Sequence, residues 1–106
     1  MTPVVVLTTV GANFDPAPLA TQLVEMRLAA CVNIIPQIES VYRWKDEIES
    51  SREWLLVIKT TASLFERFRD EIGKLHSYEI PECIEIAIED GSPAYLEWIT
   101  KSVTLP

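Results

Sequence analysis

The sequence is poor in the residues from which most short functional motifs are made. Its 106 residues include one histidine, two cysteines and three glycines. A single histidine, His76, excludes any site that draws two or three imidazoles from one chain. Cys31 and Cys83 are too few for a disulfide scaffold, and neither stands in a C-x-x-C pair, so no zinc pattern is present. Gly11, Gly73 and Gly91 make no glycine-rich phosphate loop. Basic residues are also scarce: 9 Lys and Arg against 16 Asp and Glu leave a net charge of −7. A chain of that sign repels phosphate backbones and anionic lipid, which argues against nucleic-acid and membrane-surface partners and leaves cations. No apolar run spans a bilayer; the uncharged stretch from Leu28 to Ile38 is too short and holds Asn33 and Pro36. Met1-Thr2-Pro3 puts no basic region ahead of the apolar run, so no signal peptide is expected. Reduced thiols and a cytoplasmic location follow as expectations.

What is present is an ordinary globular mix, 48% hydrophobic and 24% charged, over a length that suits one domain, residues 1–106. Val4 to Thr9 is a β-branched run, apolar at successive positions, which predicts a strand covered on both faces. Asp15 can cap a helix with Pro16 at its first position. Leu19, Ala20, Leu23, Val24 and Leu28 follow at helical spacing, with Arg27 along the edge of that face. A second strand starts near Cys31, and Pro36 within it implies an edge or a bulge. Beyond Pro36, Ile38, Ser40, Tyr42 and Trp44 share one face and Gln37, Glu39, Val41 and Arg43 the other. Lys45-Asp46-Glu47 reads as a turn without the Asn-Gly signal of a tight hairpin. The third strand runs from about Ile48 to Thr60. Ser63 to Glu66 has the S-x-x-E form of a capping box, opening a helix with Phe65, Phe68, Ile72 and Leu75 inward and ending near His76. Ile84, Ile86 and Ile88 alternate with Glu85 and Glu89 in a fourth strand with one face covered. Ser92-Pro93 opens a last helix bearing Tyr95, Leu96 and Ile99.

The order β-α-β-β-α-β-α, with right-handed crossovers, predicts an α+β fold: a ferredoxin-like sandwich, antiparallel sheet order 4-1-3-2, with an extra C-terminal helix. Two helices cover one face. Strands one and three are apolar at both parities, so the second face needs cover that the short last helix cannot wholly supply. Another subunit is the natural candidate. Strands two and four lie at opposite edges, and pairing unlike edges closes a ring or grows a fibre.

Several runs carry a resemblance: Val4 to Thr9, Leu23 to Pro36 with its R-L-A-A-C-V-N-I core, Ser40-Val41-Tyr42-Arg43-Trp44, Ile58-Lys59-Thr60, His76 to Glu82 in the form H-x-Y-E-x-P-E, and Tyr95 to Ile99. Together they resemble the CutA family of divalent-cation tolerance proteins, over nearly the whole chain. The resemblance implies a homotrimer of ferredoxin-like subunits and a link to copper and other divalent cations. It does not imply a catalysed reaction. Some members carry a cysteine where this chain has Thr8 and a second histidine where it has Leu75, so the resemblance implies weaker copper binding here. Ser77 replaces a usual proline, which implies a less stiff loop.

His76 is the first candidate metal ligand, for Cu(II) or another divalent cation, with Glu79 and Glu82 as oxygen donors. The plainer reading is a histidine at a helix end that meets the last carbonyls. Cys31 is the second candidate, as a thiolate for Cu(I), against the reading of a small packed apolar group. No second ligand motif frames Cys83. Lys59 is either an anion contact or a strand-end lysine reaching water. Tyr42 and Trp44 are either a ligand wall or anchors of a subunit contact, and Tyr78 joins them as a cleft or interface residue. Glu47, Glu49 and Glu53 read as a solvated hairpin flank. The strand order places the His76–Glu82 loop beside Thr9, at the end from which the Tyr42–Trp44 hairpin extends. Lys59, Cys31 and Asn33 gather at the opposite end, so His76 and Cys31 of one chain share no metal.

Two functional readings compete: a trimer that binds divalent cations weakly without turnover, and a trimeric sensor that takes a small metabolite or anion in clefts between subunits. An acylphosphatase is disfavoured because Gly11-Ala12-Asn13-Phe14 has no arginine. An RNA-recognition module is disfavoured because Arg52 to Lys59 does not match its strand motif.

Overall fold

The computed structural model describes residues 2–76 and 78–105. Strand β1 (Pro3–Gly11) is followed by α1 (Pro16–Glu25), β2 (Cys31–Trp44), β3 (Glu47–Thr61), a 3-10 turn (Ala62–Leu64), α2 (Phe65–Leu75), β4 (Ile84–Ala87) and α3 (Pro93–Val103). The sheet order is β2-β3-β1-β4, every pairing is antiparallel, and the architecture is the expected ferredoxin-like one with an added helix. Ser77, whose replacement of proline bears on loop stiffness, lies outside the described residues.

One face of the sheet carries the core. Val4, Val6, Val10, Leu56 and Ile58 pack with Leu19, Leu23, Phe68 and Ile72 of the two crossover helices. Val6, Leu23, Leu56, Ile58 and Phe68 are each 0% exposed, so each contributes the roughly 1.5–3 kcal/mol of a fully buried apolar side chain. A second cluster of Ala30, Ile99 and Val103 holds α3, which packs against β3 and β1. The rest of the second face stays partly open. In register with one another on that side stand Leu7, Val57 and Ile84, and Val5 and Ile86, with Ile84 and Ile86 exposed. The isoleucines of β4 are therefore not covered within one chain, contrary to the alternation reading. That reading assumed an apolar layer over β4, and α3 covers β3 and β1 instead.

Local chemistry explains most element ends. Asp15 caps α1, its carboxylate accepting from the Ala17 N–H at 3.1 Å, with Pro16 at the first position. Arg27 does not continue that helix. It adopts φ 57°, and its guanidinium donates to the carbonyls of Ser102 at 3.0 Å and Thr104 at 3.4 Å, fastening the end of α3. The capping box at Ser63 is absent: α2 starts after a 3-10 turn with Leu64 at its N-cap and no side-chain cap, and the Ser63 hydroxyl meets that of Thr61 at 3.3 Å. Lys45 and Asp46 have φ 50° and 67°, so the hairpin closes in two residues with Trp44 paired to Glu47. Both positive φ values identify a type I′ turn built without glycine.

Pro36 marks a bulge. Ile35 pairs with Leu55 and Ile38 with Glu53, so two residues of β2 oppose Trp54, and Gln37 takes φ 59°. The side-chain alternation of β2 inverts there. Val32 and Ile34 pack on the helix-side core, whereas Ile38, Ser40, Tyr42 and Trp44 share the side of Glu53 and Thr9.

Candidate functional site

The end of β1, the β2–β3 arm and the loop after α2 enclose a cleft of about 670 Å³. Its walls include Tyr42, Trp44, Tyr78, Glu79 and Glu82, five of the residues singled out in the sequence, together with Thr9 and Glu53. The bulge is what brings Tyr42 and Trp44 to this side. The Tyr42 hydroxyl lies 3.3 Å from that of Ser51 across the hairpin.

Glu53 was expected in solvent, and it is 6% exposed. Its charge-rich neighbourhood in the sequence hides two facts of register. Glu53 pairs with Gly11, and Tyr78 lies over Gly11, where an added Cβ would come within 3.3 Å of the phenol oxygen. With no side chain in the way, the Tyr78 hydroxyl donates to Oε2 of Glu53 at 2.7 Å. Burial first, then the hydrogen bond to Glu53 and that group's charge, push the Tyr78 phenol well above its ordinary range. It is a fixed neutral donor rather than an acid at neutral pH.

His76 sits behind this wall as expected, beside Thr9. Its ring is 4.6 Å from that of Tyr78 and tilted by 49°. Nε2 lies 2.5 Å from the Thr9 carbonyl, and Nδ1 lies 3.0 Å from the Tyr78 backbone nitrogen. A carbonyl only accepts and an amide N–H only donates, so Nε2 carries the proton and Nδ1 holds the lone pair. Both ring nitrogens are thus committed to backbone partners. The Thr8 side chain shares the parity of Val6 and Val10, toward the core, and its buried hydroxyl oxygen has no hydrogen-bond partner among the described residues. Neither group is presented to an incoming ion. Among the described residues no group of three or more His, Cys, Asp or Glu side chains could hold a metal. The arrangement in one chain does not fit a preformed metal centre.

Cys31, Lys59 and Asn33 collect at the other end. Cys31 pairs with Lys59 across β2 and β3, and the Lys59 ammonium donates to the Asn33 carboxamide oxygen. Cys31 begins the β2 edge strand and Cys83 precedes the β4 edge strand, and both are free thiols. Burial pushes the Cys83 thiol up, which makes it a poor nucleophile. His76 and Cys31 are therefore not brought together.

Sequence and structure comparisons agree on the relatives of this chain. The sequence model of the family described as "CutA1 divalent ion tolerance protein" matches residues 4–102. The chain belongs to the CutA family. The "Divalent-cation tolerance protein CutA" of Thermus thermophilus is 41% identical over 98 residues, covering 92% of this chain and 95% of that protein. The chloroplastic CutA of Arabidopsis thaliana is 44% identical over 99 residues, 93% of this chain and 54% of the plant protein. The chain thus spans about half the length of several curated CutA relatives it matches. A solved Thermus thermophilus CutA1 superposes with TM-score 0.90 at 40% identity, covering 94% of this chain and 97% of the other. The solved PII-like protein CutA from Nostoc sp. PCC 7120 in apo form superposes with TM-score 0.87 at 30% identity, covering 97% of this chain and 99% of the other.

Proposed function

We propose that this CutA chain acts in divalent-cation tolerance as a homotrimer that binds such cations weakly and catalyses no reaction. The observation that carries the proposal is the partly open second face of the sheet, with Ile84 and Ile86 exposed at its edge. An apolar face of that kind suits a subunit contact. Weak metal binding is the form consistent with His76. A Cu(II) or Zn(II) ion reaches Nδ1 only by displacing the Tyr78 N–H, with Glu79 and Glu82 or a neighbouring subunit supplying oxygen donors. The two free thiols support a reducing, cytoplasmic compartment.

Light scattering at micromolar concentration tests the assembly, with a threefold mass expected and a monomer mass refuting it. Calorimetric titration with Cu(II) and Zn(II) tests the site. The response should fall in His76→Ala and fall as pH drops, because protons compete for the imidazole. Unchanged affinity in His76→Ala would move the metal away from this loop.

The cleft favours a second reading. About 670 Å³ is far more than an ion needs and lies within the range of small-molecule sites. On this reading the trimer senses or carries a small organic ligand.

A further inference from the structure

We infer that the cleft takes a small organic cation, an alkylammonium or quaternary ammonium group, in preference to an anion or a bare metal ion. The inference rests on the second reading above and specifies its ligand.

Three features of the walls carry it. Among the described residues, the side chains that line the cleft include three aromatic rings, Tyr42, Trp44 and Tyr78, and three carboxylates, Glu53, Glu79 and Glu82, and no Lys, Arg or His. Aromatic faces attract a cation through their quadrupole, and the attraction strengthens where water is excluded. Carboxylates supply the matching charge, and Glu53 does so from a position only 6% exposed. The chain also places a cation of its own on one of these rings: the Lys45 ammonium lies 5.7 Å from the centre of Trp44. That contact is an internal instance of the recognition proposed.

The same walls argue against the alternatives. An anion would meet three carboxylates and no cationic side chain among the described lining residues, the nearby Lys45 ammonium being engaged on the Trp44 ring. Lys59, the lysine considered as an anion contact, is bonded to Asn33 at the far end of the sheet. A bare divalent ion needs several ligands converging at short range, and no such group exists among the described residues. A soft organic cation needs no convergence. Its charge is spread over methyl groups that pack on rings, and its hydration shell is cheaply shed.

The test uses the full chain in its native assembly and four probes: choline, its neutral isostere 3,3-dimethylbutan-1-ol, inorganic phosphate and Zn(II). Two-dimensional NMR reads the Trp44 indole N–H and the Tyr78 amide. Choline should shift both signals saturably, and the isostere should bind about tenfold more weakly, since it keeps shape and loses charge. Trp44→Leu should weaken choline by about tenfold, and Glu82→Gln, at a half-buried loop position away from the core, by a smaller factor. If the isostere binds as tightly as choline, or phosphate shifts these signals and choline does not, the cation assignment is overturned while the cleft reading stands. If none of the three non-metal probes shifts Trp44 or Tyr78, both fall. If Zn(II) displaces choline with tighter binding in wild type and in His76→Ala alike, the cleft is a metal site and the assignment is again overturned.

Discussion

Replacing Tyr78 by Phe removes one oxygen atom and keeps the ring. The bond lost runs from the phenol to Oε2 of Glu53 at 2.7 Å, and the carboxylate left behind is 6% exposed. A hydrogen bond to a charged group contributes about 1.5–3 kcal/mol, and a buried acceptor without its donor bears the full cost of its lost hydration. Tyr78 borders the cleft, so water can take over part of the hydroxyl's role, and the expected loss is about 1.5–2 kcal/mol. The pH dependence has a definite sign. The folded chain holds the Tyr78 proton more tightly than the unfolded chain, whose phenol has its ordinary pKa of 10.0. The stability contributed by that proton is therefore complete below pH about 10 and is lost as pH rises through the higher folded value. Tyr78→Phe should flatten this alkaline loss. Urea unfolding at fixed protein concentration, at pH 7 and pH about 10.5, measures both effects. In a Glu53→Gln background the acceptor is neutral, and the cost of Tyr78→Phe should shrink by about 1 kcal/mol. A cost below about 0.5 kcal/mol at pH 7, or an equal cost in both backgrounds, refutes the assignment of a charge-assisted bond.

Two other perturbations bear on the same region. Gly11→Val puts branches beyond a Cβ that already meets the Tyr78 oxygen at 3.3 Å; overpacking should cost about 1–3 kcal/mol in thermal unfolding and disturb the Tyr78 signals by NMR. Changing Lys45-Asp46 to Asn-Gly suits φ values of 50° and 67°, and should stabilise the hairpin by about 1 kcal/mol, read as a raised urea midpoint with unchanged m.

The skeleton of the fold was legible because it depends on patterns within single segments. Val4 to Thr9, the Asp15-Pro16 start and the Phe68–Ile72 spacing each declare their element locally, and crossover handedness then sets the strand order. The placement of His76 beside Thr9 followed from that order. What escaped the sequence depends on pairs. Glu53 reads as one more hairpin charge until its register opposite Gly11 and beneath Tyr78 is known. The turn at Lys45-Asp46 was legible, but its tight two-residue form escaped because neither residue is the glycine that normally reports positive φ. The S-x-x-E pattern at Ser63 misled because a 3-10 turn delays the helix past the serine. The commitment of both His76 nitrogens was invisible because one partner is the carbonyl of Thr9, 67 residues away.

The bulge at Pro36 and Gln37 ties cleft chemistry to the register of β2. One residue is all that separates the two faces of a strand. Were the bulge lost with Gln37 retained, so that Pro36 faced Trp54 and Gln37 faced Glu53, Val41 and Arg43 would turn to the side of Glu53, and Tyr42 and Trp44 would turn away. The loss of the bulge alone would thus replace two rings by a guanidinium, inverting the sign of charge the cleft prefers without a single substitution. In a lineage of such proteins, the register of an edge strand is a route to a new ligand class that leaves the cleft residues themselves unchanged in sequence.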